Sequence, residues 1–384
     1  MHVGIIGAGH AGVEAARAAR EAGAAVTLFS AESVVPYFRA RLAAVAFGQA
    51  DLAAIQMHPV EWYATQGIEL RLNTPVESIH PDACQVTANN VTRAFDGLVF
   101  AAGADAVMPA FAATAGPAVL PLWNVAHAMA IRERVQPGRS LLVLGGGILG
   151  IEAALRAVEA GMSVEIVELM DRLMPAQFGS RASTVLQRRL RARGMRVTLG
   201  RAIAAARPEG DRSVTLELDD GGTRNADLCL VSIGARPSAG LAVKAGLSVG
   251  RGVMVDARLR TSAGRVFAAG DAIQFEGVTR CSVKEAAAQG RIAGGNLVAA
   301  LAGNPLRDYR PETAPLSFRA QGFELYCIGD PGGVGYEEHL LDGATESTIR
   351  ALVMKDGLPI GVQMIGTREE FDHYAGAVRE AQET

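Results

Sequence analysis

Gly7-Ala8-Gly9-His10-Ala11-Gly12 stands between an apolar run, His2-Val3-Gly4-Ile5-Ile6, and an alanine-rich stretch from Val13 to Ala22. Strand, glycine turn and helix in that order decide the fold. The first glycine permits the tight turn, the second lets the backbone approach a pyrophosphate, and the third lets helix and strand pack closely. The free N–H groups at the helix start then bind the phosphate anion. Gly23 ends the helix and Ala25 to Phe29 forms the next strand. For a lone match, a glycine turn that binds nothing is a serious alternative. The plan recurs, however, as strand Ser140 to Leu144, Gly145-Gly146-Gly147-Ile148-Leu149-Gly150, helix Ile151 to Ala160, a stop at Gly161 and strand Ser163 to Glu168. Two such βαβ units imply two dinucleotide-binding domains or a duplicated one.

The second unit carries the better diagnostic. Glu168 ends the next strand 23 residues after Gly145, near the ~20 expected of a ribose ligand. Its carboxylate accepts from a 2′-hydroxyl and repels a 2′-phosphate, and Leu169 and Met170 follow where a phosphate site favours a cation. The spacing therefore predicts NAD(H) over NADP(H). A solvated strand end is the bland reading of Glu168. The same offset in the first unit lands on Ser30, with Glu32 two residues on, and either could meet the ribose.

Composition agrees with an ordinary globular chain of 384 residues, 49% hydrophobic, 20% charged, with a formal net charge of -3. The length suggests two or three domains with clefts between them. The charge balance argues against nucleic acid or an anionic membrane surface as partner. Cys84, Cys229, Cys281 and Cys327 are too scattered for a disulfide framework or a metal site, so no metal is expected. The N-terminus lacks a secretory pattern, which makes the cytoplasm the default. Ala106 to Ile131 contains no charged residue, but Pro109, Pro117, Pro121 and Asn124 break it into turns, so no membrane span is expected.

Between the units, Val76 to His80, Gln85 to Ala88 and Gly97 to Ala101 read as strands. After the second come Val197 to Leu199, Ser213 to Leu218 and Leu228 to Ile233, stopping at Gly234-Ala-Arg-Pro. Val266-Phe-Ala-Ala-Gly270-Asp271 is another buried strand, followed by a helix from about Ser282 to Leu301, where Ser282 and Glu285 fit a capping box. The tail from about Tyr309 loses the βαβ rhythm and predicts strands at Glu324 to Ile328, Thr348 to Met354 and Pro359 to Ile365, then a helix.

These motifs, in this order, resemble the FAD-dependent pyridine nucleotide oxidoreductases with two dinucleotide-binding domains: Gly7 to Gly12, Ala101-Ala102-Gly103, Gly145 to Gly150 followed by Glu152, and Val266 to Asp271. Within that group, Pro36-Tyr-Phe-Arg39-Ala-Arg41-Leu42, Glu61 to Leu70 and the tail Phe318 to Asp330 are similar to NADH:rubredoxin reductases and to the flavin module of assimilatory nitrite reductases. Residues 33 to 60 hold no cysteine, so neither the paired-thiol nor the single-thiol chemistry of the wider family is available. Siroheme and iron–sulfur cysteine patterns are also missing.

The resemblance implies an α/β fold with two Rossmann-like dinucleotide-binding domains, FAD on 1–112 with 236–305 and NAD on 113–235, plus a small C-terminal α+β domain at 306–384 covering the flavin. It assigns Gly7, Gly9, His10, Ala11, Gly12, Ser30, Glu32, Arg39, Arg41, Val76, Ala101, Ala102, Gly103, Gly270, Asp271 and Ser282 to FAD. Gly145, Gly147, Ile148, Leu149, Gly150, Glu168 and Gly234 go to NAD. Asp271 would hold the ribityl or pyrophosphate region, with a helix cap as its plainer role. The helix from Ser282 would aim its positive end at the flavin. Glu152 is the candidate catalytic residue beside the nicotinamide, though a glutamate in a first helical turn also serves the helix dipole. Two positions depart from the pattern: Ala44 stands where a flavin-side lysine is frequent, and Ala102 where threonine is common.

The implied activity is hydride transfer from NADH to FAD and delivery of electrons to a separate small redox protein, with a homodimer as compatible as a monomer. The alternatives are an NADH oxidase or diaphorase reducing oxygen or a quinone, and a non-catalytic FAD-binding subunit of a redox complex. His58 and His127 lack partners at triad or metal spacing. Trp62 and Tyr63 read as core, and Arg188, Arg189, Arg191 and Arg193 as a solvated basic face, with docking of an acidic carrier as the lesser reading.

Overall fold

The computed structural model describes residues 1–320 and 322–383; Gln321, inside the quoted tail, and Thr384, at the end of the third expected domain, lie outside them. Contacts divide the chain into two compact units. One comprises Met1–Arg41, Leu52–Ala106 and Gly234–Glu312; the other comprises Leu42–Asp51, Val107–Ile233 and the chain from Thr313 on.

In the first unit the apolar runs become a five-stranded parallel sheet in the order Val266–Ala268, Gly97–Phe100, His2–Ile6, Ala25–Phe29, Ile68–Arg71. Strands covered on both faces must be apolar throughout, and Val3, Ile5, Leu28, Leu98, Val99 and Phe267 are wholly buried. Strand order reverses at His2–Ile6, and in open parallel sheets ligands bind outside the carboxyl ends of the strands at such a point. The glycine loop leaves from there.

One helix packs on this sheet unusually closely to another. Cβ atoms built on Gly290 and Gly294 of helix Val283–Leu301 would each lie 2.2 Å from the carbonyl oxygens of Ala11 and Ala15. Only glycine allows that approach to helix His10–Glu21. It fixes the middle of the second helix against the first two turns of the first.

The second unit repeats the parallel sheet as Arg196–Leu199, Ser163–Glu168, Ser140–Leu144, Leu228–Val231, Val119–Pro121. Val119–Pro121 corrects the expectation that Ala106 to Ile131 consists of turns, as does helix Val125–Arg132, whose N-cap Asn124 accepts from the His127 N–H at 2.9 Å. The breakers delimit short elements, and Pro121 is tolerated because its strand lies at the sheet edge. The tail in the same unit forms an antiparallel sheet of strands Leu316–Ala320, Phe323–Gly329, Leu358–Ile365, Ile349–Lys355 and Glu337–Leu340. Helix Phe371–Glu383 covers it through Phe371, Ala375 and Val378.

The expected basic face is not simply solvated. Arg189 donates to the carbonyls of Ser347 (2.7 Å) and Gly322 (2.9 Å), and Arg189 and Arg193 sit over the Phe323 ring at 5.1 and 5.5 Å. These arginines tie helix Ser180–Arg191 to the tail. Tyr63 is core as expected, and Trp62 stacks on His58 at 3.7 Å.

Candidate dinucleotide sites

Both helices begin three residues earlier than expected, at His10 and Ile148 rather than Val13 and Ile151. The third glycine falls in the first helical turn, where close packing requires it, as its spacing predicts. A Cβ on Gly12 would meet the Gly7 carbonyl oxygen at 1.8 Å, and one on Gly150 would meet that of Gly145 at 2.3 Å. Gly7 and Gly145 take φ of +102° and +109°, and a Cβ on either would lie 2.2 Å from the carbonyl oxygen of Ala101 or Ser232. By contrast, a Cβ on Gly9 or Gly147 meets nothing within 4 Å among the described residues. Those two glycines are the extended N-caps, with no side-chain cap. Each loop thus presents an uncapped helix end behind an open approach, which is what a pyrophosphate needs.

Around the first loop the structure gathers several expected residues. Asp271 follows strand Val266–Ala268, and one carboxylate oxygen accepts from the Ser282 N–H. Its buried Oδ1 has no partner among the described residues. Burial pushes its pKa up to about 6, against the pull of the nearby Arg39 guanidinium. His10 packs against Phe38 at 5.7 Å; its pKa is lowered to about 4, chiefly by burial and then by Arg39, and its Nε2 also lacks a partner. Ser282 is the N-cap, but the capping box fails. Its side chain makes no cap bond, and Glu285 instead accepts from the Tyr309 hydroxyl at 3.2 Å. The Ser282 N–H has been redirected to Asp271.

Ser30 and Glu32 sit together: the Ser30 hydroxyl donates to the Glu32 carbonyl at 3.2 Å. The Glu32 carboxylate accepts from Tyr37 (2.8 Å) and pairs with Arg39 at 3.5 Å. Arg41 lies 5.5 Å from the Phe38 ring. Ala101 bonds to the Ile6 carbonyl at 2.8 Å, Ala102 follows it, and Gly103 (φ +74°) accepts from Ser238 at 2.9 Å. Val76 opens a separate antiparallel sheet.

Around the second loop, Glu168 accepts from the N–H groups of Gly146 (2.6 Å) and Met170 (2.8 Å), while Leu169 and Met170 stand exposed. It is not a solvated strand end. Glu152 lies beyond the first helical turn, which removes the helix-dipole reading. It is buried and held by Arg156 at 3.0 Å, and burial raises its pKa despite that cation. Arg156 also donates to the Gln49 side chain at 2.5 Å, and Gln49 donates to Glu159 at 2.9 Å. Ile148 and Leu149 open the helix, and Gly234 (φ +110°) begins the last segment of the first unit.

The sequence profile of the pyridine nucleotide-disulphide oxidoreductases matches residues 1–290. The chain belongs to this family. Rubredoxin-NAD(+) reductase of Pseudomonas putida is 33% identical over 275 residues, 71% of each chain. The epsilon subunit of NADH-dependent phenylglyoxylate dehydrogenase from Aromatoleum evansii is 27% identical over 96% of this chain and 88% of its own. Among solved structures, the ferredoxin reductase for the CYP199A2 system from Rhodopseudomonas palustris is 27% identical, with a TM-score of 0.86 over 97% of this chain and 92% of that one.

As a member of the family the chain is an FAD-dependent oxidoreductase that works with a pyridine nucleotide. The residues present fit FAD in the first unit: the open approach at Gly9, the uncapped helix and the unpartnered Asp271 oxygen are what a pyrophosphate and polyol chain would satisfy. Cys84, Cys229 and Cys327 are buried; Cys281 is exposed, and desolvation together with the neighbouring Asp271 pushes its thiol up to about 11. No helix among the described residues is long and apolar enough to cross a membrane, and no described cluster of His, Cys, Asp and Glu could hold a metal.

Gln289 belongs to the same constellation, though no motif marks it. Its buried side chain accepts from the Gly270 N–H at 2.8 Å and donates to Tyr309 at 3.1 Å, fixing the turn that aims Asp271. A glutamine inside an alanine- and glycine-rich helix was the available signal. Gln289→Leu strands the Gly270 N–H, so urea unfolding should show a loss of about 1–3 kcal/mol.

Proposed function

We propose that the chain takes hydride from NADH and passes electrons to a small redox protein of the rubredoxin or ferredoxin type. FAD, when bound, supplies the means of accepting two electrons together and releasing them singly. The chain's own contribution is placement. Gly7 to Gly12 and Gly145 to Gly150 hold pyrophosphates, Asp271 accepts from hydroxyls of the flavin's polyol chain, and Ser30 and Glu32 stand at the ribose position. Glu152, buried and with its pKa raised by that burial, is the residue this reading sets beside the nicotinamide. The single observation that carries the reading is the duplicated cradle, one copy with an unpartnered buried carboxylate oxygen and the other with Glu168 at its mouth.

NADH is the proposed donor because Glu168 offers oxygens to a 2′-hydroxyl with no cation in Leu169 or Met170. Glu168→Ala should lower kcat/KM for NADH about tenfold, the loss of a charge-assisted hydrogen bond, with NADPH turnover changing less. Steady-state assays with both nucleotides check this. Four unpaired thiols suit the cytoplasm, where this reading places the chain.

The acceptor is tested by following NADH consumption in air with and without added rubredoxin or ferredoxin. Stimulation by a carrier supports the proposal; a full rate with oxygen alone supports an oxidase. A second reading, electron delivery inside a complex, is favoured by the Aromatoleum evansii subunit, whose match extends over the tail. Redox subunits that co-purify with the chain from its own cells would support it.

A further inference from the structure

The second unit carries an unassigned cluster of arginines away from its glycine loop. A cavity of about 570 Å³ opens at the sheet edge between strand Arg196–Leu199, outermost in its parallel sheet, and strand Thr223–Ala226 of a neighbouring antiparallel hairpin. The volume falls within the range of small-molecule sites. Arg191, Arg196 and Arg224 line it with Asn225, and Glu165 lies at its base.

Glu165 is 5% exposed in the middle of a parallel strand, where an unpaired carboxylate would be costly. It is fully engaged: Oε1 accepts from Thr198 and from Arg224 Nε, both at 2.9 Å, and Oε2 pairs with Arg196 at 3.1 Å. The carboxylate thereby orients two guanidiniums, each left with further N–H donors because arginine carries five. Arg191 adds a third guanidinium, resting on the Val197 carbonyl at 3.4 Å. Three cations against one anion leave the cavity with an excess of two positive charges. Planar guanidinium groups beside an open volume, Arg224 held through Nε and the largely exposed Arg196 anchored by one ion pair, match a phosphoryl dianion, and Val197 lines the same volume.

We propose that this cavity binds a small phosphomonoester dianion, as an effector site separate from both dinucleotide loops. It does not rest on the assignment of the electron acceptor. Glycerol 2-phosphate is the probe, titrated calorimetrically into flavin-loaded protein with and without saturating NAD⁺. The expected result is saturable one-to-one binding, unchanged by NAD⁺ and displaced by sulfate. Arg196→Gln with Arg224→Gln should weaken it at least tenfold, while Arg191→Gln, which gives up one long bond to a carbonyl, should weaken it about threefold. Should the double variant fail to fold, the single variant carries the test. Absence of saturable binding, loss of binding in NAD⁺, or binding unaltered by Arg191→Gln would each overturn the proposal.

Discussion

Gly12→Ala should yield protein that holds no flavin and unfolds at markedly lower denaturant, whereas Gly9→Ala should keep its stability and lose only the flavin. The contrast follows from where a methyl group would go. At Gly12 it would lie 1.8 Å from the Gly7 carbonyl oxygen, a backbone atom at the root of the strand that cannot move aside without undoing the turn. Effects of this kind reach about 4 kcal/mol or more. At Gly9, φ is -77° and nothing among the described residues lies within 4 Å, so alanine fits the folded chain without strain. It would instead fill the open approach at which the proposed pyrophosphate sits. Urea unfolding of the flavin-free proteins, beside the flavin absorbance of the same preparations, separates the two effects. Equal destabilisation by both changes would contradict this account of the loop.

Asp271→Asn should stabilise the flavin-free chain at neutral pH while weakening its hold on flavin at least tenfold. An aspartate in the unfolded chain titrates near 3.9, but burial moves Asp271 up to about 6 in the folded one. The folded state therefore binds the proton more tightly. The favourable contribution is complete below about pH 4 and is lost as the pH rises through 6, leaving a penalty of about 2–3 kcal/mol near pH 7.5. Asparagine removes the charge and with it the penalty. The variant should gain about 2 kcal/mol at pH 7.5 and close to nothing at pH 4, read from urea unfolding at both values. His10 titrates in the same range but is common to both proteins. An aspartate retained at such a cost in the apoprotein is expected where a ligand supplies the missing partners. A stability loss at pH 7.5 would show that Asp271 is a structural cap.

Much of this was legible in the sequence because the glycine turns and apolar runs are local signals. Four of the five strands in each parallel sheet, the first and third glycines and the position of Glu168 follow from residues adjacent in the chain; Ile68–Arg71 and Val119–Pro121 do not. The partners of those residues were not legible. Glu168 meets Gly146 across the strand end, Asp271 takes the Ser282 N–H intended for a capping box, and Gln289 reaches back 19 residues to Gly270. The helices start inside the glycine motif, at His10 and Ile148, because its last three residues already form the first helical turn, which the motif read as a turn does not reveal. Arg189 and Arg193 looked solvated since nothing in their own helix announces Phe323. In each case tertiary contact overrode a local expectation.

Everything above turns on electrons passing from a reduced nicotinamide into the bound flavin. Anaerobic mixing of the flavin-loaded protein with NADH, followed by visible absorbance in a stopped-flow instrument, tests it directly. The flavin should bleach rapidly, faster with NADH than with NADPH, and more slowly in Glu168→Ala. A flavin that keeps its colour in excess NADH, yet is bleached by dithionite in the same sample, would contradict it.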